Sequence, residues 1–380
     1  MHMSENLEFG GRRIVYVVNH LPFLFSHREH LLREILRQGA EVTVIAPQSA
    51  LQSRLSDLGI QFRAWRLSRT GMNPFSEIVS IIHLLLILHR ERPDVLHLLT
   101  IKPVIYGALV GRLFRVSRVV AGITGRGQMF AGSGFAGAVR QWAITRLMRF
   151  ALNTPRTRCV FQNSEDLKCF IEHQITDTAH CVLVQGAGVD FTKFFPTPEP
   201  EPPVRVVLAA RLLWQKGIGE FVAAARLLAQ RGVASEYLVY GESDPENPGS
   251  IPQSVIADWK REGPVRFCGV SSDIAAVLKS AHIACLPTYY NEGVPKFLLE
   301  AIVSGRAVVT TDWPGCRDVV KHGENGLLVK PRDVESLAKA LAVLIDDKQL
   351  RQRLGAGMAK GNYDQYSVEH VAIETIRTYS

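Results

Sequence analysis

Residues 205–217, Arg205-Val206-Val207-Leu208-Ala209-Ala210-Arg211-Leu212-Leu213-Trp214-Gln215-Lys216-Gly217, read as a strand that ends in a loop and leads into a helix at Ile218–Arg231. The unit then repeats. Further strands are expected at Glu236–Tyr240, Val265–Phe267, Ile283–Leu286, Ala307–Thr310 and Gly326–Val329. Helical spacing marks Pro252–Arg261, Ile274–Lys279, Pro295–Val303, Val334–Ile345 and Gln349–Met358. Strands alternating with helices signal an α/β fold built on a doubly wound parallel sheet.

The first half follows the same alternation. Its strands are expected at Arg13–Val18, Val42–Ala46, Phe62–Trp65, Val95–Leu98, Arg118–Ile123, Arg158–Phe161 and Cys181–Val184. Helices are expected at His27–Gln38, Phe75–Arg90, Pro103–Phe114, Ala136–Leu152 and Glu165–His173. Between the halves, 186–203 is dense in Pro, Gly and Phe, which breaks regular structure. A chain of 380 residues is too long for one ordinary core. The expected division is a domain at 1–190, a linker at 191–203 and a domain at 204–365, with a C-terminal segment 366–380 containing the amphipathic stretch Val368–Thr378. Open parallel sheets bind ligands at the carboxyl ends of their strands, so two facing domains would share one cleft with a substrate on each wall.

Charged residues are 21% and hydrophobic residues 47%, which excludes a disordered chain and a polytopic membrane protein. The longest apolar run, Ile78–Leu88, contains Ser80 and His83, falls short of the roughly 20 residues that span a bilayer, and reads as a buried helix. Residues 1–13 lack the apolar centre of a secretory signal, and the six cysteines show no paired spacing, so a reducing cytoplasm is expected. No His/Cys/Asp group has metal-site spacing, and neither a metal nor another cofactor is expected.

The net charge of +8 lies wholly in the first half, and residues 95–164 carry no Asp or Glu at all. Phe135, Trp142 and Phe150 are interleaved with the arginines of that stretch, a pattern suited to anionic lipid head groups and a peripheral place on the inner face of the cytoplasmic membrane. Nucleic acid would attract the same charges, but no helix-turn-helix, zinc-finger or RNP-like motif accompanies them. An ordinary solvated basic face is the plain alternative.

Chemistry concentrates at two strand ends in the second half. Arg211 and Lys216 place two cations five residues apart beside a helix N-terminus, where they can stabilise charge on a departing diphosphate without a metal. In 291–301, Asn-Glu-Gly-Val-Pro-Lys-Phe-Leu-Leu-Glu-Ala, Pro295 is expected to open a helix and leave Glu292 and Gly293 on the entering loop. A helix N-terminus seats phosphate, and carboxylates accept from hydroxyls. A ligand with a phosphate core and hydroxylated rings on either side, a nucleotide-sugar, fits that combination. The alternative is a capping Glu292 and a solvated Glu300.

The two glutamates, with Arg211 and Lys216, resemble the Glu-x7-Glu pattern of retaining family-4 glycosyltransferases, whose GT-B fold has two facing Rossmann-like domains and a last helix that returns to the N-terminal domain. The resemblance implies that Glu300 holds the ribose hydroxyls and that Glu292 sits by the transferred sugar, with Arg211 and Lys216 on the diphosphate. It also places Gly293, Val294, Lys296 and Phe297 against the donor, and the base against Gly269 and Val270. Thr124-Gly125-Arg126-Gly127 and Leu99-Thr100-Ile101-Lys102-Pro103 look like a subgroup that transfers sugars, often N-acetylhexosamines, to lipid-linked acceptors in bacterial surface-glycan assembly. Thr124, Gly125, Arg126 and Lys102 are accordingly expected to meet sugar or acceptor. The histidine that many members carry near 123–124 is absent, and 19–26 lacks the family's glycine pair. His97 reads as a satisfied buried histidine. The expected activity is metal-independent, retaining hexosyl transfer from a nucleotide-sugar, UDP-linked by preference, to a lipid-linked or oligosaccharide acceptor. A UDP-sugar 2-epimerase and a noncatalytic carbohydrate or lipid-surface binding protein are the alternatives.

Overall fold

The computed structural model describes residues 9–68, 71, 73–125, 134–357 and 363–380. The chain divides into two compact units, 1–187 with 368–380, and 188–367.

In the first unit seven strands form one parallel sheet: β1 (Arg13–Val18), β2 (Glu41–Ala46), β3 (Gln61–Ala64), β4 (Val95–Leu99), β5 (Arg118–Ile123), β6 (Thr157–Phe161) and β7 (Cys181–Leu183). Their order is β3-β2-β1-β4-β5-β6-β7. Alternate residues of each strand feed opposite layers, as the period of two requires. Ile14, Tyr16 and Val18 join helix Leu21–Arg37 and the C-terminal helix Val368–Arg377 on one face. Val15 and Val17 join helices Pro74–Glu91, Ile101–Leu113 and Gly134–Leu152 on the other.

The first helix begins at Leu21, earlier than the expected His27. Pro22 lies in its first turn, where proline's missing N–H costs nothing, and Leu21, Leu24, Phe25, Leu31, Leu32 and Ile35 supply a buried stripe at helical spacing. The expectation of a buried helix at Ile78–Leu88 needs correction. Ser80, Leu84 and Leu88 are buried, but Phe75, Ile78, Val79, Ile82 and Leu86 are all more than half exposed. The helix is apolar on both faces, and periodicity cannot say that only one of them is covered. Among the described residues no helix is long and apolar enough to cross a membrane.

The second unit holds β8 (Arg205–Ala209), β9 (Glu236–Tyr240), β10 (Val265–Gly269), β11 (Ile283–Leu286), β12 (Ala307–Thr311) and β13 (Gly326–Val329), all parallel, in the order β10-β9-β8-β11-β12-β13. The Pro-rich segment expected as a linker is built into this unit. The buried Arg306 donates to the carbonyls of Thr197, Pro198 and Ala281; Arg351 pairs with Glu199 at 3.0 Å; and His282 lies 3.0 Å from the Pro200 carbonyl. These bonds, of which those from the two arginines are charge-assisted, tie the segment down at residues 197–200.

Candidate active site

The strand order of the second unit runs outward in opposite directions from β8 and β11. A parallel sheet opens a crevice outside the carboxyl ends of its strands at such a switch point. The loop after β8 carries Arg211 and Lys216, and the loop after β11 carries Glu292, Gly293 and Val294.

Backbone geometry joins these two loops. Trp214–Lys216 forms one 3-10 turn, ended by Gly217 at φ +76. A Cβ there would lie 2.2 Å from the Pro287 carbonyl oxygen, so the left-handed backbone and the close approach both demand glycine. The Thr288 hydroxyl and the Tyr289 N–H both donate to the Gln215 carbonyl, at 3.1 and 2.8 Å. The turn is thereby pinned to the strand end opposite, and the Lys216 ammonium donates to the Glu292 carboxylate. Its Nζ also stands 5.4 Å from the centroid of the Tyr290 ring. Lys216 is only 7% exposed, and a lysine that deep requires its ion partner.

Arg211 pairs with Asp244 at 2.8 Å and is more exposed than Lys216. Asp244, on the loop after β9, was not singled out in the sequence. The sequence shows only an acid just beyond a strand end; that its loop lies next to the arginine's own follows from the pairing of β8 with β9.

The helix runs Lys296–Val303, one residue later than the expected start, with Pro295 as its N-cap. Glu300 on that helix is 6% exposed. Burial pushes its carboxyl above the ordinary range, and the Lys296 ammonium, 3.4 Å away, partly opposes the shift. A solvated Glu300 is thus excluded. Val294 and Phe297 pack into the hydrophobic core, so what they present to a ligand is backbone rather than side chain. Gly293 is buried with its carbonyl close to Gly315, where a Cβ would come within 1.9 Å. Gly269 has φ +76, its carbonyl accepts from the Gly241 N–H at 2.7 Å, and with Val270 it lies exposed at the end of β10.

In the first unit, Thr124 and Gly125 follow β5, and Arg126 lies outside the described residues. The expected role of Lys102 is corrected by its contacts. The ammonium donates to the carbonyls of Ser68 (2.9 Å) and Gly71 (2.5 Å) and to the Glu77 carboxylate (2.6 Å). Those three bonds use all three N–H donors of a lysine, which therefore has none left for an acceptor. His97 is buried as expected: Nδ1 lies 2.6 Å from the Tyr379 hydroxyl, and the ring stacks on Tyr16 at 4.7 Å. Burial, aided by the nearby Arg28 charge, pushes its pKa down to about 3, so the ring is neutral.

Two cations with carboxylate partners thus stand at a switch point, where open parallel sheets bind their ligands. Residues 13–164 match the family described as glycosyl transferase 4-like, and residues 203–347 match glycosyl transferases group 1. The chain belongs to the glycosyltransferases of this two-domain GT-B class. It is 25% identical over 94% of its length to the N,N'-diacetylbacillosaminyl-diphospho-undecaprenol alpha-1,3-N-acetylgalactosaminyltransferase of Campylobacter jejuni, covering 95% of that protein. It is also 25% identical to the UDP-Gal:alpha-D-GlcNAc-diphosphoundecaprenol alpha-1,3-galactosyltransferase of Escherichia coli, over 72% of each chain. A glycosyltransferase structure from Rickettsia africae superposes with a TM-score of 0.74 at 16% identity, covering 98% of both chains, and shares the fold. These relatives do not favour the epimerase or the noncatalytic alternative.

Proposed function

We propose that this glycosyltransferase moves a hexose-class sugar, an N-acetylhexosamine in the first instance, from a UDP donor to a lipid-diphosphate-linked sugar in bacterial surface-glycan assembly. The observation that carries the reading is the Lys216–Glu292 pair, set by backbone hydrogen bonds at the β8/β11 switch point. By their names, the Campylobacter and Escherichia relatives both act on diphosphoundecaprenol-linked sugars, and the second uses a UDP donor.

In this reading the donor diphosphate takes up Lys216 and Arg211, which without it rest on Glu292 and Asp244. Glu292, released from the ammonium, accepts from hydroxyls of the transferred sugar, while Glu300 accepts from the ribose. Fixed cations at the leaving group stabilise the charge that develops as the anomeric bond parts, in place of a metal. With no protein nucleophile assigned, the acceptor hydroxyl attacks on the face the diphosphate leaves, its proton passes to the leaving diphosphate, and anomeric configuration is retained. The enzyme would work as a peripheral protein on the inner face of the cytoplasmic membrane.

The test is transfer by the full chain from a panel of UDP-sugars to polyprenyl-diphosphate-linked sugars, with product configuration read by NMR. Lys216→Ala should lower kcat by about 100-fold or more with the fold intact, and EDTA should leave turnover unchanged. Inversion at the anomeric centre, or epimerised UDP-sugar in reactions without acceptor, would overturn the proposal.

A further inference from the structure

On helix Pro74–Glu91 the outward residues Phe75, Ile78, Val79, Ile82 and Leu86 fall at spacings of three, one, three and four, a single stripe about 100° wide. Phe75 is 80% exposed and the other four are each just over half exposed. The opposite face, Ser80, Leu84 and Leu88, already serves the core. An exposed contiguous apolar stripe on a folded unit marks an interaction surface.

Charge around the stripe selects the partner. The helix has two acidic residues, and each is held by a cation of the same unit: Glu77 by Lys102 at 2.6 Å and Glu91 by Arg63 at 2.7 Å. The outer layer continues through helix Ile101–Leu113 to helix Gly134–Leu152, where Trp142 and Phe150 are also exposed. Arg146 lies 5.5 Å from the Trp142 ring centroid, and Arg112 lies 4.2 Å from that of Phe150. Aromatic rings topped by arginines beside an aliphatic stripe match the boundary between acyl chains and anionic head groups.

We propose that helix Pro74–Glu91 lies in the plane of an anionic phospholipid bilayer with its outer stripe among the acyl chains, while the arginines of the neighbouring helices hold the head groups. This rests on the membrane-linked acceptor proposed above and identifies the surface that reaches it. The apolar part of the attachment then lies outside the acid-free stretch 95–164, and the cationic part within it. Salt screens the arginine contribution but leaves the apolar one in place.

The experiment is co-sedimentation of the full chain with vesicles of phosphatidylethanolamine and phosphatidylglycerol, and with phosphatidylcholine alone, at low and high salt. The wild-type chain should bind the anionic vesicles and keep part of that binding in high salt. The variant Ile78→Ser/Ile82→Ser/Leu86→Ser should bind about tenfold or more weakly at either salt, with unchanged thermal unfolding because the three side chains face outward. Arg112→Ser/Arg146→Ser should lose only the salt-sensitive part. Phe75→Trp should gain fluorescence quenching by brominated lipids. Equal binding by the wild type and the triple apolar variant would overturn the proposal, as would a wild-type dimer that this variant turns into monomer, since a second copy would then cover the stripe. Transfer to a detergent-dispersed acceptor separates the two readings. A chain that transfers but never binds vesicles refutes only the membrane surface, and one that binds vesicles through this stripe but transfers nothing refutes only the proposed reaction.

Discussion

Replacing Gly217 by alanine should damage the second unit more than the same change at Gly232, near the other end of the same helix, Ile218–Gln230. Both glycines have φ +76, so both variants incur the left-handed penalty of about 1–2 kcal/mol. At Gly232 nothing lies within 4 Å of the new Cβ; at Gly217 the Cβ would sit 2.2 Å from the Pro287 oxygen and 2.7 Å from its carbon. Those neighbours are backbone and cannot rotate away, so the turn or the strand end must move, for about 1–3 kcal/mol more. In a unit of this size each kcal/mol shifts Tm by roughly 2–4 °C. Gly232→Ala should therefore lower Tm by a few degrees, and Gly217→Ala by roughly 6–15 °C. Since Gly217 ends the turn that carries Lys216, transfer by the surviving folded protein should also fall. Thermal unfolding and single-turnover transfer, measured on both variants at one pH, read the two effects. Indistinguishable melting of the two proteins would refute the reasoning, because the Pro287 contact is the difference between them.

The buried acids and rings give further expectations. Glu300→Gln should weaken UDP binding, read by calorimetry, without destabilising the protein at neutral pH. The Glu300 carboxyl is raised in the fold, so the stability it contributes is present below its ordinary 4.5 and lost as pH rises through the folded value; the glutamine variant should gain on wild type over that window. His97 has the opposite sign: depressed to about 3, it contributes stability above 6.5 that is lost as pH falls. At a pH about two units below 6.5 the loss is about 3 kcal/mol. Denaturant unfolding should show His97→Gln with a flatter acid limb than wild type, and parallel limbs would count against a neutral buried ring. Tyr379→Phe removes the hydroxyl that stands 2.5 Å from that of Tyr16 and 2.6 Å from His97, leaving buried polar atoms unpaired. It should cost about 1–3 kcal/mol by denaturant unfolding; no loss would mean that water fills the place.

Much of the fold was legible because it is written in local patterns. Short apolar runs alternating with helical spacing placed all thirteen strands to within two residues at either end, with β3 (Gln61–Ala64) found one residue late. The Glu-x7-Glu spacing pointed to Glu300, whose burial the structure supplies. Lys102 was misread because an acid-free stretch of sequence says nothing of Glu77, which reaches it from the preceding helix. Asp244 was missed because an acid in a Pro-rich loop resembles any solvated residue until its neighbour across the sheet is known.

The sequence by itself determined which segments are strands and helices and which residue types stand at the strand ends. These follow from backbone conformational preference and apolar period, which act over a few residues. Only the tertiary structure decided that Lys216 meets Glu292, 76 residues away, and that one face of helix Pro74–Glu91 is left uncovered. Both depend on which strand or helix becomes whose neighbour, and that is settled by packing the chain as a whole rather than by any stretch of it.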